Sequence, residues 1–134
     1  YAGHRYGLVR VALVENLFLN PFDERIEYLL ALLRNDTEWR VRRAILAKLA
    51  TRGSDSLQKA AGLALADPHP LVRQLAAACL VALKADPKEG NAYRGRLADQ
   101  PTAATCESIL RAEGLDPAIT LRSAPEIREA LRKL

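Results

Sequence analysis

The sequence is poor in the residues that build stapled, metal-bound or aromatic-lined proteins. Its 134 residues include two cysteines, two histidines, one tryptophan and no methionine, and only 5% are aromatic. Two cysteines without the composition of a stapled scaffold do not indicate disulfides, so we expect Cys79 and Cys106 to be small buried side chains. Without a Cys-x-x-Cys or His-x-x-x-His motif, the sequence predicts no metal site. The absence of methionine favours a processed chain or a fragment of a longer protein.

Catalytic motifs and long apolar runs are also missing. The chain has no glycine-rich phosphate loop, no Gly-x-Ser-x-Gly elbow and no histidine near a candidate nucleophile, so we predict no enzymatic activity and no cofactor. No segment is long and apolar enough to span a membrane. Arg10 and Glu15 interrupt the one segment that resembles the apolar part of a signal peptide, and we expect a cytoplasmic protein. No alternating run of β-branched residues predicts a sheet, which leaves an all-α fold.

What the chain does contain is a repeated motif. The segment from Asp36 to Leu49 returns from Asp67 to Leu80, at an interval of 31 residues. A period of this size, made of helix-forming residues, predicts stacked helical hairpins and not one closed core. The matching positions are Asp36 and Asp67, Val41 and Val72, Arg42 and Arg73, Ala47 and Ala78, and Leu49 and Leu80.

The repeat extends in both directions. A partial copy from Val9 to Leu17 precedes the motif, and Asp99 opens a later copy that decays, with Thr105 where the arginine would stand. The segments between the copies also match, and each carries four apolar residues on one helical face. We therefore predict a single domain over residues 1–134, made of four hairpins of which the last is degenerate. The predicted hairpins lie near residues 4–34, 37–66, 69–98 and 102–134.

Capping residues mark several helix ends. Ser123 and Glu126 have the spacing of a capping box, and Gly114 follows an apolar run at a position where a left-handed residue ends a helix. Gly90 and Gly95 are expected to interrupt the sixth helix, and residues 114–123 are expected to form a loop. The predicted helices lie near residues 4–19, 21–34, 37–51, 54–66, 69–84, 88–98, 102–113 and 124–134.

The stretch Asp67-Pro-His-Pro-Leu-Val-Arg73, followed by small and aliphatic residues up to Leu80, resembles the HEAT-like repeat of the phycobilisome-lyase type. The likeness covers about residues 8–85, with Trp39 in the place of the second proline. The resemblance implies a right-handed α-solenoid of the armadillo type whose second helices line a concave face. It is specific for architecture, because the family includes lyase subunits, adaptors and regulators.

Charged residues recur with the repeat. Arg10, Arg42 and Arg73 occupy one position, and Asp36 and Asp67 occupy another at a helix start. In a stack of hairpins we expect a structural ladder, in which each guanidinium reaches a carboxylate or carbonyl of the adjacent turn. The alternative is contact with phosphate groups, because the net charge is +4 and basic residues cluster within residues 34–52. Interspersed acidic residues and the scarcity of aromatics make this the lesser alternative.

Two sets of residues are candidates for binding a partner. Trp39, near Arg40 and Arg43, either packs over the neighbouring turn or acts as an interface anchor. The other set lies on the second helices. If the apolar face of each second helix packs inward, a different face of the helix is available to a partner. An aromatic side chain beside a guanidinium is typical of binding surfaces, although the leucines of this set also fit the seam between repeats. The predicted concave-face residues are Arg25, Tyr28, Leu32, Ser56, Lys59 and Leu63.

The sequence therefore predicts a non-catalytic protein-interaction or scaffold module. Its protein partner lies along the concave second helices, and is either a separate protein or another domain of the same polypeptide. Two alternatives remain open, a nucleic-acid-binding helical repeat and an auxiliary subunit of a lyase-like enzyme.

Overall fold

The structure, a computed structural model, describes residues 25–50 and 55–134. Within these ranges all regular structure is helical, and the predicted all-α fold of the α-solenoid class is confirmed. The predicted first helix, the partial copy of the motif and Arg10 lie outside the described residues. The elements are α1 (Arg25–Asn35), α2 (Trp39–Ala50), α3 (Asp55–Ala64), α4 (Pro70–Lys84), α5 (Pro87–Asp99), α6 (Ala103–Ala112), a 3-10 helix (Pro117–Leu121) and α7 (Ala124–Arg132).

Local side-chain chemistry fixes where the helices begin. His69 caps α4, since its Nδ1 accepts a hydrogen bond of 3.1 Å from the Leu71 amide, and Pro70 occupies the first turn. At α7 the Glu126 amide donates to Ser123 Oγ at 3.5 Å, and that hydroxyl donates to the Glu126 carboxylate at 3.1 Å. These contacts satisfy amides that the first turn of a helix leaves without partners.

Glycine behaves as predicted after α6 and differently within α5. Gly114 adopts a φ of 81°, a left-handed conformation that ends α6 as expected. The helix predicted near residues 88–98 is confirmed, since α5 runs from Pro87 to Asp99, and the expected interruption at Gly90 and Gly95 does not occur. A glycine within a helix costs only about 1 kcal/mol, and the burial of Leu97 against the core offsets this cost. The expected loop 114–123 contains the 3-10 helix, which the Asp116 carboxylate caps through the Ala118 amide.

The first four helices repeat one packing arrangement. Helices α1, α2 and α3 pack against one another, and α4 packs on both α2 and α3. Their inward side chains, with those of α6 and α7, form one buried cluster. The sequence predicts α1 and α3 as the second helices of successive hairpins, and because they lie side by side we call them the second-helix layer.

Helix α4 lies at the centre of the domain. It packs against every other helical element of the described chain except α1. Its sequence contains four alanines and a cysteine, and these small side chains allow neighbouring backbones to approach on several sides. The buried residues of α4 are Val72, Gln74, Leu75, Ala76, Ala77, Ala78, Cys79, Val81 and Ala82.

The regular stacking changes after α4. Helix α5 packs on α2, α4 and α6 and not on α3, so it does not extend the second-helix layer. The 3-10 helix and α7 return to pack on α4 as well. In the described part of the chain, α1 and α3 are therefore the only helices that pack together as the predicted second helices, and the concave face stays a prediction for this pair.

Candidate functional site

The second-helix layer presents two large apolar side chains to solvent. Tyr28 on α1 is 59% exposed and Leu63 on α3 is 41% exposed. On the same two helices, Lys59 is exposed and Ser56 is half-buried, while Leu32 is half-buried against the core. These five residues, which we call the α1–α3 face, were all predicted from sequence. The sixth predicted residue, Arg25, begins α1, and its side chain lies outside the described residues.

A cavity that the sequence did not predict opens beside this face. It has a volume of about 350 Å³ and lies between the carboxyl ends of α1 and α3. Leu33 and Leu63 provide apolar wall, Arg34 lies at the exposed side, and the side chains of Arg42 and Asp67 line the interior. The cavity could not be foreseen from periodicity, because it depends on how far apart two helix ends stand.

The recurring arginines and aspartates form hydrogen bonds between hairpins. Arg42 donates from Nε to Asp67 Oδ2 at 2.6 Å and from Nη2 to Asp67 Oδ1 at 3.0 Å. Its Nη1 also donates to the Asp36 carbonyl at 2.8 Å. Both side chains of the pair are nearly buried, 10% exposed for Arg42 and 6% for Asp67. A bidentate pair of this kind, largely shielded from bulk water, orients one hairpin against the next.

Arg73, the repeat equivalent of Arg42, donates to a different acceptor. Arg73 repeats one contact of Arg42, since its Nη1 donates to the Asp67 carbonyl at 2.8 Å. Its Nε donates to the Thr120 carbonyl at 3.0 Å, so a backbone oxygen of the 3-10 helix stands where Arg42 finds a carboxylate. Asp99, proposed from sequence to open the fourth copy, ends α5 in an exposed position, and Thr102 caps α6. The 3-10 helix of the C-terminal segment thus supplies the acceptor for the last arginine of the series.

Trp39 lies at the start of α2 in a stack of side chains. Its ring is parallel to the His69 ring, with 4.0 Å between centroids and 11° between planes. The Arg40 and Arg43 guanidiniums lie 5.0 and 4.9 Å from the Trp39 ring centroid, within cation–π range. Trp39 is half-buried and packs on the core. The sequence had indicated Trp39, Arg40 and Arg43 as a possible interface anchor, but it gave no sign of His69. His69 reaches Trp39 because α2 and α4 start side by side.

His69 is held in its neutral form. Burial lowers its pKa from the ordinary value, the Asp67 carboxylate raises it, and the guanidiniums of Arg42, Arg43 and Arg73 lower it again. The neutral ring also accepts a hydrogen bond at Nδ1, which a proton there would abolish. Because the unfolded chain binds this proton more readily, the contribution of His69 to stability is complete above about pH 6.5 and declines on acidification.

We therefore expect the Tm to fall as the pH is lowered from about 7.5 to about 5.5, a range that spans the ordinary histidine pKa. Thermal melts followed by circular dichroism measure this change. The matched control is His69→Asn, which keeps an acceptor for the Leu71 amide but does not titrate. If His69→Asn loses as much Tm as the wild type over this range, His69 is not the group responsible.

The cysteines are buried, as predicted. Cys79 and Cys106 are free thiols with exposures of 0% and 1%. Burial raises the pKa of both, that of Cys106 to about 12, so neither forms the thiolate that nucleophilic or metal-binding chemistry requires. Among the described residues no group of histidine, cysteine and carboxylate side chains is arranged to hold a metal ion. No described helix has the length and apolarity needed to cross a membrane.

Comparison with known proteins adds a family match. The family model of HEAT repeats matches residues 26–112, more than half of the chain, which takes in α1 almost completely and continues through α6. No curated protein and no solved structure shows significant similarity to the chain. The match is to HEAT repeats in general, and the phycobilisome-lyase subtype stays a prediction.

Proposed function

The chain belongs to the HEAT repeat family, and from this premise we propose that it is a non-catalytic interaction module that binds a segment of a partner protein along the α1–α3 face. HEAT repeats commonly serve as protein-interaction scaffolds. The partner is a separate protein or another domain of the same polypeptide, and the cytoplasm stays the predicted location.

The exposure of Tyr28 and Leu63 carries this proposal. In the described chain only four large apolar side chains are exposed, and two of them lie on these adjacent helices. Burying a side chain of this size is worth about 1.5–3 kcal/mol. A partner that covers both residues gains this contribution, and aromatic residues are frequent energetic centres of interfaces.

The neighbouring cavity gives the face a shape that a partner can recognise. A partner segment lying across α1 and α3 would pass Leu63 and place one side chain in the 350 Å³ cavity beside it. Arg34 at the exposed side offers a donor to a polar group next to that side chain. Apolar contact surrounded by a few polar groups is the usual composition of a protein interface.

Several described groups of the kinds that carry chemistry in enzymes are engaged in holding this fold. Arg42 and Asp67 bind each other, His69 caps α4, and Cys79 is buried. These engagements support a role without turnover. They also favour a protein partner over nucleic acid, since the Trp39 ring already stacks on His69 and is not free to stack on a base.

The test compares the wild type with the double variant Tyr28→Ala/Leu63→Ala in affinity capture, followed by titration of the captured partner. Loss of two interface centres, each worth about 2 kcal/mol, should weaken binding by two to three orders of magnitude. The matched control is Leu121→Ala, which removes another exposed leucine, one that is 70% exposed and lies outside the face.

Retention of every captured partner by the double variant would show that the α1–α3 face is not the binding site. Capture that is lost equally with Leu121→Ala would point to non-specific apolar adhesion. Retention on duplex DNA that weakens steeply with salt would favour the nucleic-acid alternative instead.

A further inference from the structure

A second candidate site lies between α3, α4 and α7. On α3, Gln58 and Gly62 follow one side of the helix, while Lys59 and Leu63 of the α1–α3 face follow another. The groove on the Gly62 side has a volume of about 450 Å³. It exists because α3 and α7 both flank α4 without packing on each other.

The floor of the groove is apolar. It consists of Leu65 just after α3, Leu80 and Leu83 of α4, and Leu131 of α7. Leu80 and Leu83 are half-buried, while most of the other apolar side chains of α4 are buried. The groove is therefore a place where the apolar surface of the central helix reaches solvent.

The rim of the groove is basic. Lys84, Arg128 and Arg132 line it, and none of the acidic residues that the structure describes does. Arg132 forms an ion pair with Glu129, which compensates its charge. Lys84 Nζ donates to the Leu131 carbonyl at 2.5 Å, and Arg128 Nη2 donates to the Gly62 carbonyl at 3.4 Å.

These carbonyls position the Lys84 and Arg128 cations over the groove without neutralising them. In the described chain neither cation has a carboxylate within ion-pair distance. A leucine-lined floor below two uncompensated cations is complementary to a ligand that has apolar side chains and carboxylates.

We propose that the α3–α4–α7 groove binds an acidic peptide segment of a partner protein, with a leucine-sized side chain on the floor and carboxylates at Lys84 and Arg128. The leucine floor favours an acidic peptide over a nucleic acid as the ligand. A phosphate backbone has no apolar side chain to bury on that floor. The groove is open at Gly62, since a Cβ at this position would meet no atom within 4 Å. This site is distinct from the α1–α3 face and does not depend on it.

The test uses the full chain and a fluorescein-labelled peptide with leucines at i and i+4 and glutamates elsewhere, compared with the same peptide in which glutamine replaces glutamate. Titration is followed by fluorescence anisotropy. We expect the glutamate peptide to bind, and Lys84→Gln/Arg128→Gln to weaken its binding by about tenfold or more. The matched control is Lys88→Gln/Lys133→Gln, which removes the same charge from exposed residues outside the groove.

Removing the two cations could also loosen the packing of α7 and weaken binding for that reason. Variants that fill the groove and leave the cations in place exclude this explanation. Gly62→Phe leaves both cations in place and fills the groove, so it should abolish binding, whereas Gly62→Ala adds one methyl group and should retain it. Circular dichroism melts establish that each variant is folded. Tyr28→Ala/Leu63→Ala should bind the peptide like the wild type, which separates this site from the α1–α3 face.

Several outcomes would overturn the proposal. Absence of binding, equal binding of both peptides, or full binding to Gly62→Phe would each show that the groove does not recognise carboxylates with leucine. An equal loss in the Lys88→Gln/Lys133→Gln control would reduce the effect to net charge. Displacement of the peptide by duplex DNA at lower concentration would assign the basic rim to nucleic acid.

Discussion

Replacing Asp67 with alanine is expected to lower the free energy of unfolding by about 3–5 kcal/mol, because it leaves the buried Arg42 guanidinium without its carboxylate. The substitution removes hydrogen bonds of 2.6 and 3.0 Å to Arg42 and one of 2.9 Å from the His69 amide. Urea denaturation at constant pH measures the change through the transition midpoint.

Two further variants isolate the cause. Asp86→Ala is the matched control, since Asp86 is an exposed aspartate that precedes α5 and makes no capping hydrogen bond with its side chain. It should change stability by about 0.5 kcal/mol or less. Arg42→Met/Asp67→Leu removes both charges and should be less destabilised than Asp67→Ala alone. A cost for Asp67→Ala no larger than that of Asp86→Ala would contradict a stabilising role of the pair.

Gly90→Ala is the substitution with the next largest expected effect. A Cβ at Gly90 would lie 2.4 Å from the Ala82 carbonyl oxygen, which belongs to the α4 backbone and cannot turn aside. The start of α5 would have to move away from α4, and overpacking of this kind costs about 1–3 kcal/mol or more. Thermal and urea denaturation of Gly90→Ala measure this loss.

The same helix supplies the control. A Cβ at Gly95 would meet no atom within 4 Å, so Gly95→Ala should stabilise the protein by about 0.5–1 kcal/mol through helix propensity. The two variants make the same chemical change with opposite expected signs. If both stabilise the protein, the close approach of α5 to α4 is not a constraint on the fold.

The parts of the fold that sequence predicts are those that local chemistry determines. The apolar period places the helices, and residues such as Ser123, through its side chain, and Gly114, through its left-handed backbone, place their ends. The interval of 31 residues also put Arg42 and Asp67 at recurring positions, and the structure joins them by two hydrogen bonds. In these cases, each contact lies within one helix turn or between adjacent copies of one motif.

The parts that sequence does not predict depend on contacts between distant segments. The packing of α5 on α2, away from α3, and its close backbone approach to α4 at Gly90 have no counterpart in the period. The bond from Arg73 to the Thr120 carbonyl joins residues 47 positions apart and uses a backbone atom, so no side-chain pattern marks it. The cavity beside Leu63 and the Trp39–His69 stack likewise depend on helix spacing.

The central position of α4 has a consequence for how the domain unfolds. In a linear repeat array each unit contacts only its neighbours, and terminal units can melt independently of the rest. Here six of the other seven helical elements of the described chain share α4 as a common support. Loss of α4 removes the packing surface of nearly all of them at once. The described repeats are therefore expected to unfold in one cooperative transition, with the same midpoint whether it is followed by the fluorescence of Trp39 on α2 or by the helical signal of the whole chain.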